Sequence, residues 1–561
     1  MKKFMLPAVL LSVVVLFSCT SKQGKMENKL RTFIAKVENE LKPMVQEAAI
    51  ASWDASISGK EEDYKKSEDI QIKLVKLLSD SALFDELKEI KESGAVKDSV
   101  LKREMEVLYP AFERNQVSKD LLEKKIKMES ELEKKYSNFR ADVDGKKISD
   151  NEVEHILATS TNSKELEAAW TAHKAIGKEV AADIVAIVKL RNQIAKELGY
   201  ENYHTMNMIM SEQDPNEVLA LFDELDNLTK DAFAGLKNDM DEYFAKRYNL
   251  PKDKLMPWHY QNRFFQEAPK IYDVDLDQFY KDKDIVALTS QYYKGINLDV
   301  DDLIKRSDLF EKPGKNQHAY CTDIDHNGDV RILCNVKPTM NWMNTMLHEY
   351  GHGVYAKYFD PQKPYLLRDA AHTFTTEAIA MMMGRNATNP QWMLDMGMIN
   401  KEQKNQIADI CKKSLRLEQL TFSRWAQVMY RFEKAMYSNP DQDLNTLWWK
   451  LVEQYQLIKK PEGRNEPDWA TKIHVALYPC YYHNYLLGEL LASQLFYHIS
   501  DKVLKNPDYQ TVSFVNQPEV GKYLKEKVFM PGMLYKWNDM IEHATGEKLT
   551  AKYYAKQFVE K

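Results

Sequence analysis

The sequence predicts a mainly α protein, because apolar residues recur at helical spacing along most of the chain and strand patterns are few. Spacings of three and four residues, which place side chains on one helix face, run through residues 30–45, 70–90, 180–198, 218–243 and 415–436. The charged stretch 121–135 carries a narrower apolar stripe and is predicted as a helix with a solvated outer face. One segment, 317–336, departs from this periodicity and indicates a β-hairpin.

The start of the chain has the pattern of an export signal. Two lysines precede the apolar run Met5 to Phe17, which is too short to span a bilayer. The run leads into Leu-Phe-Ser-Cys, which resembles the cleavage box of bacterial lipoproteins. We therefore expect residues 1–18 to be removed as a signal peptide, Cys19 to carry a lipid, and residues 19–29 to form a polar tether at the periplasmic or outer-membrane face of the cell envelope. An ordinary signal peptide with an incidental cysteine is the alternative.

The composition is that of a folded, acidic protein. Charged residues make up 29% of the chain, and its formal net charge of −6 argues against a nucleic-acid partner. No later apolar run in the sequence has the length of a membrane span, so we expect membrane contact only through the anchor at Cys19. No linker rich in Gly, Ser or Pro interrupts residues 30–561, which are therefore predicted to form a single domain.

The predicted hairpin has strands at 317–322 and 330–336 around an Asn-Gly turn at 327 and 328, the strongest short hairpin signal. A two-residue loop would place Cys321 opposite Cys334 in a non-hydrogen-bonded pair, the closer class, in which a cross-strand disulfide is geometrically possible. We therefore expect these two cysteines to be joined outside the reducing cytoplasm. The remaining cysteines of the mature chain are predicted to be buried thiols, Cys411 and Cys480.

The most specific functional signal is His348-Glu349-Tyr350-Gly351-His352, an H-E-x-x-H motif inside the apolar-periodic run 342–359. Residues four apart lie on one face of a helix, so the two imidazoles can hold one Zn²⁺ while Glu349 acts as general base for the attacking water. A surface helix that is merely rich in histidine is the non-functional interpretation. The chain has only 13 His in 561 residues, so the motif rarely arises by chance. The motif therefore predicts one catalytic zinc ion.

A catalytic zinc site needs a third protein ligand. Glu377 follows the motif in Thr373-Phe374-Thr375-Thr376-Glu377, where Thr373 is a candidate N-cap and Glu377 falls in the first exposed turn of a second helix. A glutamate in a first helical turn often only interacts with the helix dipole, but after an H-E-x-x-H helix it is the expected ligand. His372 is the competitor, and would give a site of three histidines.

Together these motifs resemble the peptidase family of angiotensin-converting enzyme, the ACE-like gluzincins of peptidase family M2, over most of the mature length. The family's strand and the stretch leading into its zinc helix are matched by His318-Ala319, Arg331-Ile332 and residues 334–341. The C-terminal part matches at Trp448-Trp449, Tyr455-Gln456, Arg464-Asn465-Glu466 and Lys472-Ile473-His474. The N-terminal half fits at Trp170, Asn192, Gly199-Tyr200 and Tyr203.

The resemblance implies both a fold and an activity. The implied fold is a mainly α, large helical ellipsoid of two halves around a deep active-site cleft, with a small antiparallel β-hairpin beside the zinc helix. The implied activity is that of a zinc peptidyl-dipeptidase, which releases dipeptides from the C-termini of oligopeptides. Residues 30–561 would form this single peptidase domain.

The resemblance also implies how the cleft would hold the end of a peptide. Lys472 matches the lysine that holds the substrate's terminal carboxylate, a role suited to a long-reaching ammonium group. Tyr482 matches the tyrosine that shares this carboxylate. Tyr481 is a rival for that role, because the alignment between His474 and Tyr485 needs one extra residue here.

Four further roles are implied near the scissile bond. His474 and Tyr485 would stabilise the oxyanion that develops as water attacks the peptide carbonyl. Ala319 would lend its backbone groups to a substrate that pairs with the strand in β fashion, and His318 would support the bound peptide.

Three positions depart from the family pattern. Two arginines that bind chloride in animal members are replaced by Asn484 and Glu453, so chloride is not an expected partner. The acidic residue that supports a zinc histidine, four positions after the third ligand, is Met381 here. Because a ligand imidazole needs an acceptor for its other nitrogen, Asp369 is the candidate that takes over this role.

The sequence is also compatible with two other functions. The thimet-oligopeptidase family shares H-E-x-x-H, a similarly spaced Glu and a Tyr-rich segment, and would make the protein an endo-oligopeptidase; Lys472 and the His318-Ala319 strand weigh against it. A lipid-anchored binding protein without catalysis is the second alternative. The presence of Glu349 and all three ligands weighs against that reading.

Overall fold

The computed structural model describes residues 22–272 and 274–559, which form twenty-two α-helices and two small hairpins. The helices before the second hairpin are α1 (Lys22–Ser58), α2 (Glu61–Leu78), α3 (Ser81–Glu92), α4 (Ser99–Glu113), α5 (Lys119–Asn138), α6 (Asp150–Thr159), α7 (Ser163–Lys174), α8 (Ile176–Glu197), α9 (Tyr203–Met210), α10 (Pro215–Tyr248), α11 (Ile285–Gly295) and α12 (Asp301–Arg306). The later helices are α13 (Met340–Lys357), α14 (Thr373–Gly384), α15 (Pro390–Asp395), α16 (Lys401–Ser438), α17 (Leu444–Leu451), α18 (Ile473–Leu477), α19 (His483–His498), α20 (Pro518–Leu524), α21 (Trp537–Thr545) and α22 (Lys552–Phe558). The antiparallel strand pairs are β1 (Ala141–Val143) with β2 (Lys146–Ile148), and β3 (Tyr320–Asp323) with β4 (Val330–Leu333). The mainly α prediction is confirmed.

The predicted signal peptide and the lipidated Cys19 lie outside the described residues. Residues 22–29 of the predicted polar tether are the first two turns of α1, so this part of the tether is helical. Across the two described ranges, no helix combines the length and the apolarity that a membrane span requires.

The first four helices pack on one another around an apolar cluster that includes Phe33, Leu87 and Phe112. Arg103 on α4 ties this group to the rest of the molecule, donating to the backbone carbonyl of Met533 at 2.6 Å and to Glu212 Oε2 at 2.8 Å. The helices that carry the predicted site belong to the larger core, in which α14 packs against both α13 and α19.

Two glycines set the close packing of these three helices. A Cβ atom at Gly351 on α13 would lie 2.7 Å from Ala380 Cα on α14, closer than side chains pack. A Cβ at Gly488 on α19 would lie 3.3 Å from Glu377 Cβ on α14. Glycine therefore lets α14 approach both neighbours, and Glu377 reaches the space between them.

The predicted Cys321–Cys334 disulfide is wrong, because the hairpin has a different register. Cys321 pairs with Ile332, the loop spans 324–329, and both cysteines are free thiols. The longer loop follows from Asp side chains that accept backbone N–H groups within it, as Asp323 Oδ1 does from His326 N at 2.9 Å. The prediction that Cys411 and Cys480 are buried thiols is confirmed.

Candidate active site

Helix α13 presents the H-E-x-x-H motif to a cavity. Thr339 is its N-cap, with Oγ1 accepting from Trp342 N at 3.2 Å. The helix buries Met343, Met346 and Leu347 on the approach to the motif, so it is held firmly in the core. His348 and His352 are one turn apart and only partly exposed, which leaves their ring edges open to a cavity.

The structure brings His348, His352 and Glu377 together. The Nε2 atoms of the two histidines are 3.3 Å apart, and Glu377 Oε2 lies 3.6 Å from His348 Nε2 and 3.7 Å from His352 Nε2. Burial lowers the pKa of His348 to about 4, while burial and the neighbouring His348 lower that of His352 to about 3. Both imidazoles are therefore neutral near pH 7 and have a lone pair to offer.

This donor set fits zinc. Zn–N and Zn–O bonds of about 2.0–2.2 Å in a tetrahedral arrangement separate the ligand atoms by roughly 3.3–3.6 Å, close to the three distances found here. Two neutral imidazoles and one carboxylate also leave a fourth position for water or substrate. Within the described ranges this is the one group of three metal-binding side chains with such spacing.

His372 is not part of this group, and it also corrects the predicted start of α14. His372, rather than Thr373, is the N-cap, and its Nδ1 lies 3.3 Å from Phe374 N. The ring is therefore engaged at the helix end. The arrangement does not support the alternative site of three histidines.

Thr376 supplies the contact that Asp369 was predicted to make. Thr376 Oγ1 lies 2.8 Å from His352 Nδ1, whereas Asp369 lines the cavity and its Oδ1 accepts from Ala370 N at 2.6 Å. The prediction for Asp369 is therefore wrong at His352. Met381, the residue in the family's acidic position, lies against α19, with its sulfur 3.3 Å from the Cβ position of Gly488.

Glu349 lies at the wall of a cavity of about 380 Å³ that also contains the three candidate ligands. Its carboxylate accepts a hydrogen bond from the backbone N–H of Cys321 on β3, so the strand and the helix fix it jointly. Burial and the nearby Glu377 raise the pKa of Glu349 to about 8. A divalent cation beside it would lower this pKa, because an opposite charge favours the carboxylate form.

Tyr485 lies on α19, one turn before Gly488, and so faces the ligand group. Burial raises the pKa of its hydroxyl, and the nearby Tyr481 and Glu377 raise it further. The hydroxyl therefore stays protonated as a hydrogen-bond donor. The Tyr482 ring lies 5.4 Å from that of Tyr485 and 5.1 Å from that of His474, which joins the three into one aromatic wall.

His474 is neutral at this wall, because burial and then the charge of Lys472 lower its pKa to about 4. Its Nδ1 atom is buried without a hydrogen-bond partner from the described residues. A neutral imidazole whose ring nitrogen has no partner can form a hydrogen bond with a bound ligand or accept a proton there.

Lys472 lies at the end of the aromatic wall away from the ligands. Its Nζ donates to Gln266 Oε1 at 2.6 Å and lies 5.6 Å from the centre of the Tyr482 ring. Burial and the neighbouring Arg263 lower the pKa of Lys472 to about 8. Tyr482 rather than Tyr481 is thus the neighbour of this lysine. The pKa of Tyr481 is raised by burial and by the nearby Glu377, which places Tyr481 on the side of the candidate ligands.

Gln266 was missed by sequence reasoning, because it lies in an irregular segment with no motif. Ala319, whose backbone the resemblance assigns to substrate pairing, lines the cavity, but β3 begins only at Tyr320. His318 is exposed and does not line the cavity, and its backbone N–H donates to Asn316 Oδ1 at 2.9 Å. The structure thus brings most of the predicted site residues close together, whereas His318 lies apart from them.

The two positions that lack the family's arginines differ in their surroundings. Asn484 is buried and accepts a hydrogen bond from Gln213 Nε2 at 2.8 Å. Glu453 is exposed and accepts from Lys460 N at 3.1 Å.

Comparison with known proteins agrees with this geometry. A family model described as peptidase M2, angiotensin-converting enzyme, matches residues 24–558. Angiotensin-converting enzyme of Haematobia irritans exigua is 22% identical over 451 residues, 73% of this chain and 72% of that protein. The enzyme of Bos taurus is 24% identical over 58% of this chain and 27% of its own length, and that of Mesocricetus auratus is 22% identical over 71% and 32%. The chain thus spans about a third or less of the two mammalian relatives. Because the family model covers nearly the whole chain, this protein belongs to the angiotensin-converting enzyme family of peptidases.

Proposed function

We propose that this protein is a zinc-dependent peptidyl-dipeptidase that removes dipeptides from the C-termini of oligopeptides. The observation that carries the proposal is Lys472, a cation that is only 8% exposed and has no ion pair with an acid of the described chain. A buried ammonium without a counter-ion is costly, and a substrate carboxylate would relieve that cost. A lysine at a fixed distance from the cleavage point would select the free end of a peptide.

The residues between Lys472 and the ligand group support an exopeptidase. Tyr482 and Tyr485 follow one another from Lys472 toward Glu377, so the wall between the carboxylate site and the candidate metal centre is short and aromatic. A peptide whose terminal carboxylate reaches Lys472 can therefore place one of its last peptide bonds beside Glu349.

His348, His352 and Glu377 would hold the zinc ion, which when bound supplies Lewis acidity to the scissile carbonyl and the attacking water. Glu349 takes the proton of that water and delivers it to the leaving amine. Cys321 N–H and the surrounding helix keep its carboxylate in place. Tyr485, protonated because of its raised pKa, donates to the oxyanion, and His474 contributes from the same wall.

Product analysis on a mixed pool of unlabelled peptides would test the proposal. Mass spectrometry should show successive loss of dipeptides from the C-terminus, and much slower loss from peptides whose C-terminus is amidated. Internal cleavage would instead favour the thimet-like endo-oligopeptidase. A protein that holds zinc but cleaves no peptide would favour the binding-protein alternative.

For localisation, we propose a lipoprotein of the bacterial cell envelope, anchored at Cys19. The support is the sequence of residues 1–19 alone. Metabolic labelling with a radioactive fatty acid should mark the wild-type protein, and Cys19→Ala should lose the label and enter the soluble fraction. A labelled Cys19→Ala protein would contradict the proposal.

A further inference from the structure

A second and larger cavity lies on the other side of the helix that carries Glu377. Its volume is about 590 Å³, and none of its lining residues lines the cavity that contains Glu349. Met382 at the end of α14 and Arg385 just beyond it form one wall, and α16 forms another. The segment 508–514 and the end of α22 close the remaining sides.

The charge of this cavity is opposite to that of the whole protein. Five of its lining side chains are Lys or Arg and one is an acid, Asp508, while the complete chain has a net charge of −6. Lys404 and Lys412 lie eight residues apart on α16, a spacing that keeps them close to one face of the helix. Neither side-chain ammonium has a hydrogen-bond or ion-pair partner among residues 22–272 and 274–559.

The arginines of the cavity are also incompletely paired. Arg416 donates from Nε to the backbone carbonyl of Phe558 at 2.7 Å, and its terminal nitrogens have no acceptor among the described residues. Arg385 is paired with Glu489 and also donates to Gln419 and Gln557, so only its buried Nε is without a hydrogen-bond partner in the described chain. Guanidinium groups with free donors are the usual partners of phosphate, sulfate and carboxylate groups.

Aromatic rings complete the wall beside these cations. Phe496, Tyr497, Tyr509 and Phe514 line the cavity. The Nζ of Lys556 lies 4.4 Å from the centre of the Tyr497 ring and 3.1 Å from Tyr509 Oη. A site that combines cations with aromatic ring faces suits a ligand with a flat apolar ring system and several negatively charged groups.

We propose that this cavity binds a small aromatic polyanion, that is, an aromatic molecule with two or more phosphate, sulfate or sulfonate groups. Lys404, Lys412 and Arg416 on α16 would neutralise the anionic groups, and the rings of α19 and the 508–514 segment would contact the ligand's ring system. The site is separate from the proposed peptide cleft, and its binding does not depend on peptidase activity.

The test uses naphthalene trisulfonate as the probe, because sulfonates stay charged at all working pH values and bind zinc weakly. Isothermal titration of the full-length mature protein at low ionic strength should show one saturable site, and added NaCl should weaken it by screening the charges. Adenosine diphosphate, titrated in parallel with zinc content monitored, shows whether a phosphate-bearing ligand is accepted as well.

Charge reversals on α16 locate the site. Lys404→Glu with Lys412→Glu should raise the Kd at least about tenfold, because two attractive charges in the cavity wall become repulsive to the anion. The matched control is Lys401→Glu with Lys413→Glu, which makes the same charge change on the same helix outside the cavity lining. At an ionic strength of about 0.15 M the control should leave the Kd within about twofold, since exposed charges that do not line the cavity are then largely screened from the anion.

Two results would overturn the inference. The first is the absence of saturable trisulfonate binding. The second is equal weakening in the two double variants, which would mean that only diffuse charge attracts the anion.

Discussion

The Nζ of Lys472 and the Oε1 of Gln266 lie 2.6 Å apart, although the two residues are 206 positions apart in the chain. The amide holds the lysine without neutralising it, so the cation stays available for a carboxylate. Lys472→Met should therefore raise KM for peptides with a free C-terminus by roughly 10–150-fold, from the loss of about 1.5–3 kcal/mol of charged hydrogen bonding. Steady-state kinetics would show it, and an equal loss on amidated peptides would contradict the role.

The pH dependence of kcat/KM should report the same lysine. Its pKa is lowered to about 8 by burial and by Arg263, and only the protonated form attracts a carboxylate. Activity on free peptides should therefore fall as pH rises through about 8, a unit or more below the range of an ordinary lysine. Amidated peptides that are cleaved at all provide the control, because their profile should lack this limb.

Substitutions at the candidate metal centre should affect zinc binding and activity differently for the ligands and for the general base. His348→Ala and Glu377→Ala should lose bound zinc, because each removes one of three protein ligands. Glu349→Gln should keep zinc and lose activity by at least about a hundredfold, since a general base is not a ligand. Elemental analysis after dialysis measures the zinc, and full occupancy in both ligand variants would refute the site.

Asp468 is predicted to stabilise the segment that carries Lys472. It is 1% exposed and accepts from Trp449 Nε1 at 3.1 Å and from Arg464 at 2.7 and 2.6 Å. Asp468→Asn should lower the free energy of unfolding by about 3–5 kcal/mol, because it leaves a partly buried arginine without its charge partner. Denaturant unfolding measures this. Asp441→Asn, at an exposed surface ion pair with Lys189, should change stability by less than about 1 kcal/mol.

Chloride should have little effect on activity. Asn484 is neutral and already bonded to Gln213, and Glu453 is negative, so neither offers the fixed positive charge that offsets the desolvation of an anion. Replacing chloride by acetate at constant ionic strength should leave kcat/KM unchanged. A saturable rise of roughly tenfold with chloride, about 1.4 kcal/mol on the barrier, would show that another cation has rebuilt the site.

Local spacing was enough to predict the helical class, the zinc motif and Glu377. A helix places residues four apart on one face whatever surrounds it, so His348 and His352 are neighbours by geometry alone. The hairpin shows the limit of this reasoning. The predicted two-residue Asn-Gly loop lies within a longer loop, 324–329, because the carboxylates of Asp323 and Asp325 accept hydrogen bonds from the loop's N–H groups. The pairing of Cys321 therefore shifts away from Cys334.

The sequence by itself therefore determined the class of fold, the family and the candidate ligands, because these depend on residue type and short-range periodicity. Only the tertiary structure decided that Gln266 holds Lys472, that Thr376 contacts His352, and that Tyr482 rather than Tyr481 neighbours the lysine. Such contacts join segments remote in sequence or depend on side-chain direction. Packing of the whole core selects them, and no local pattern encodes them.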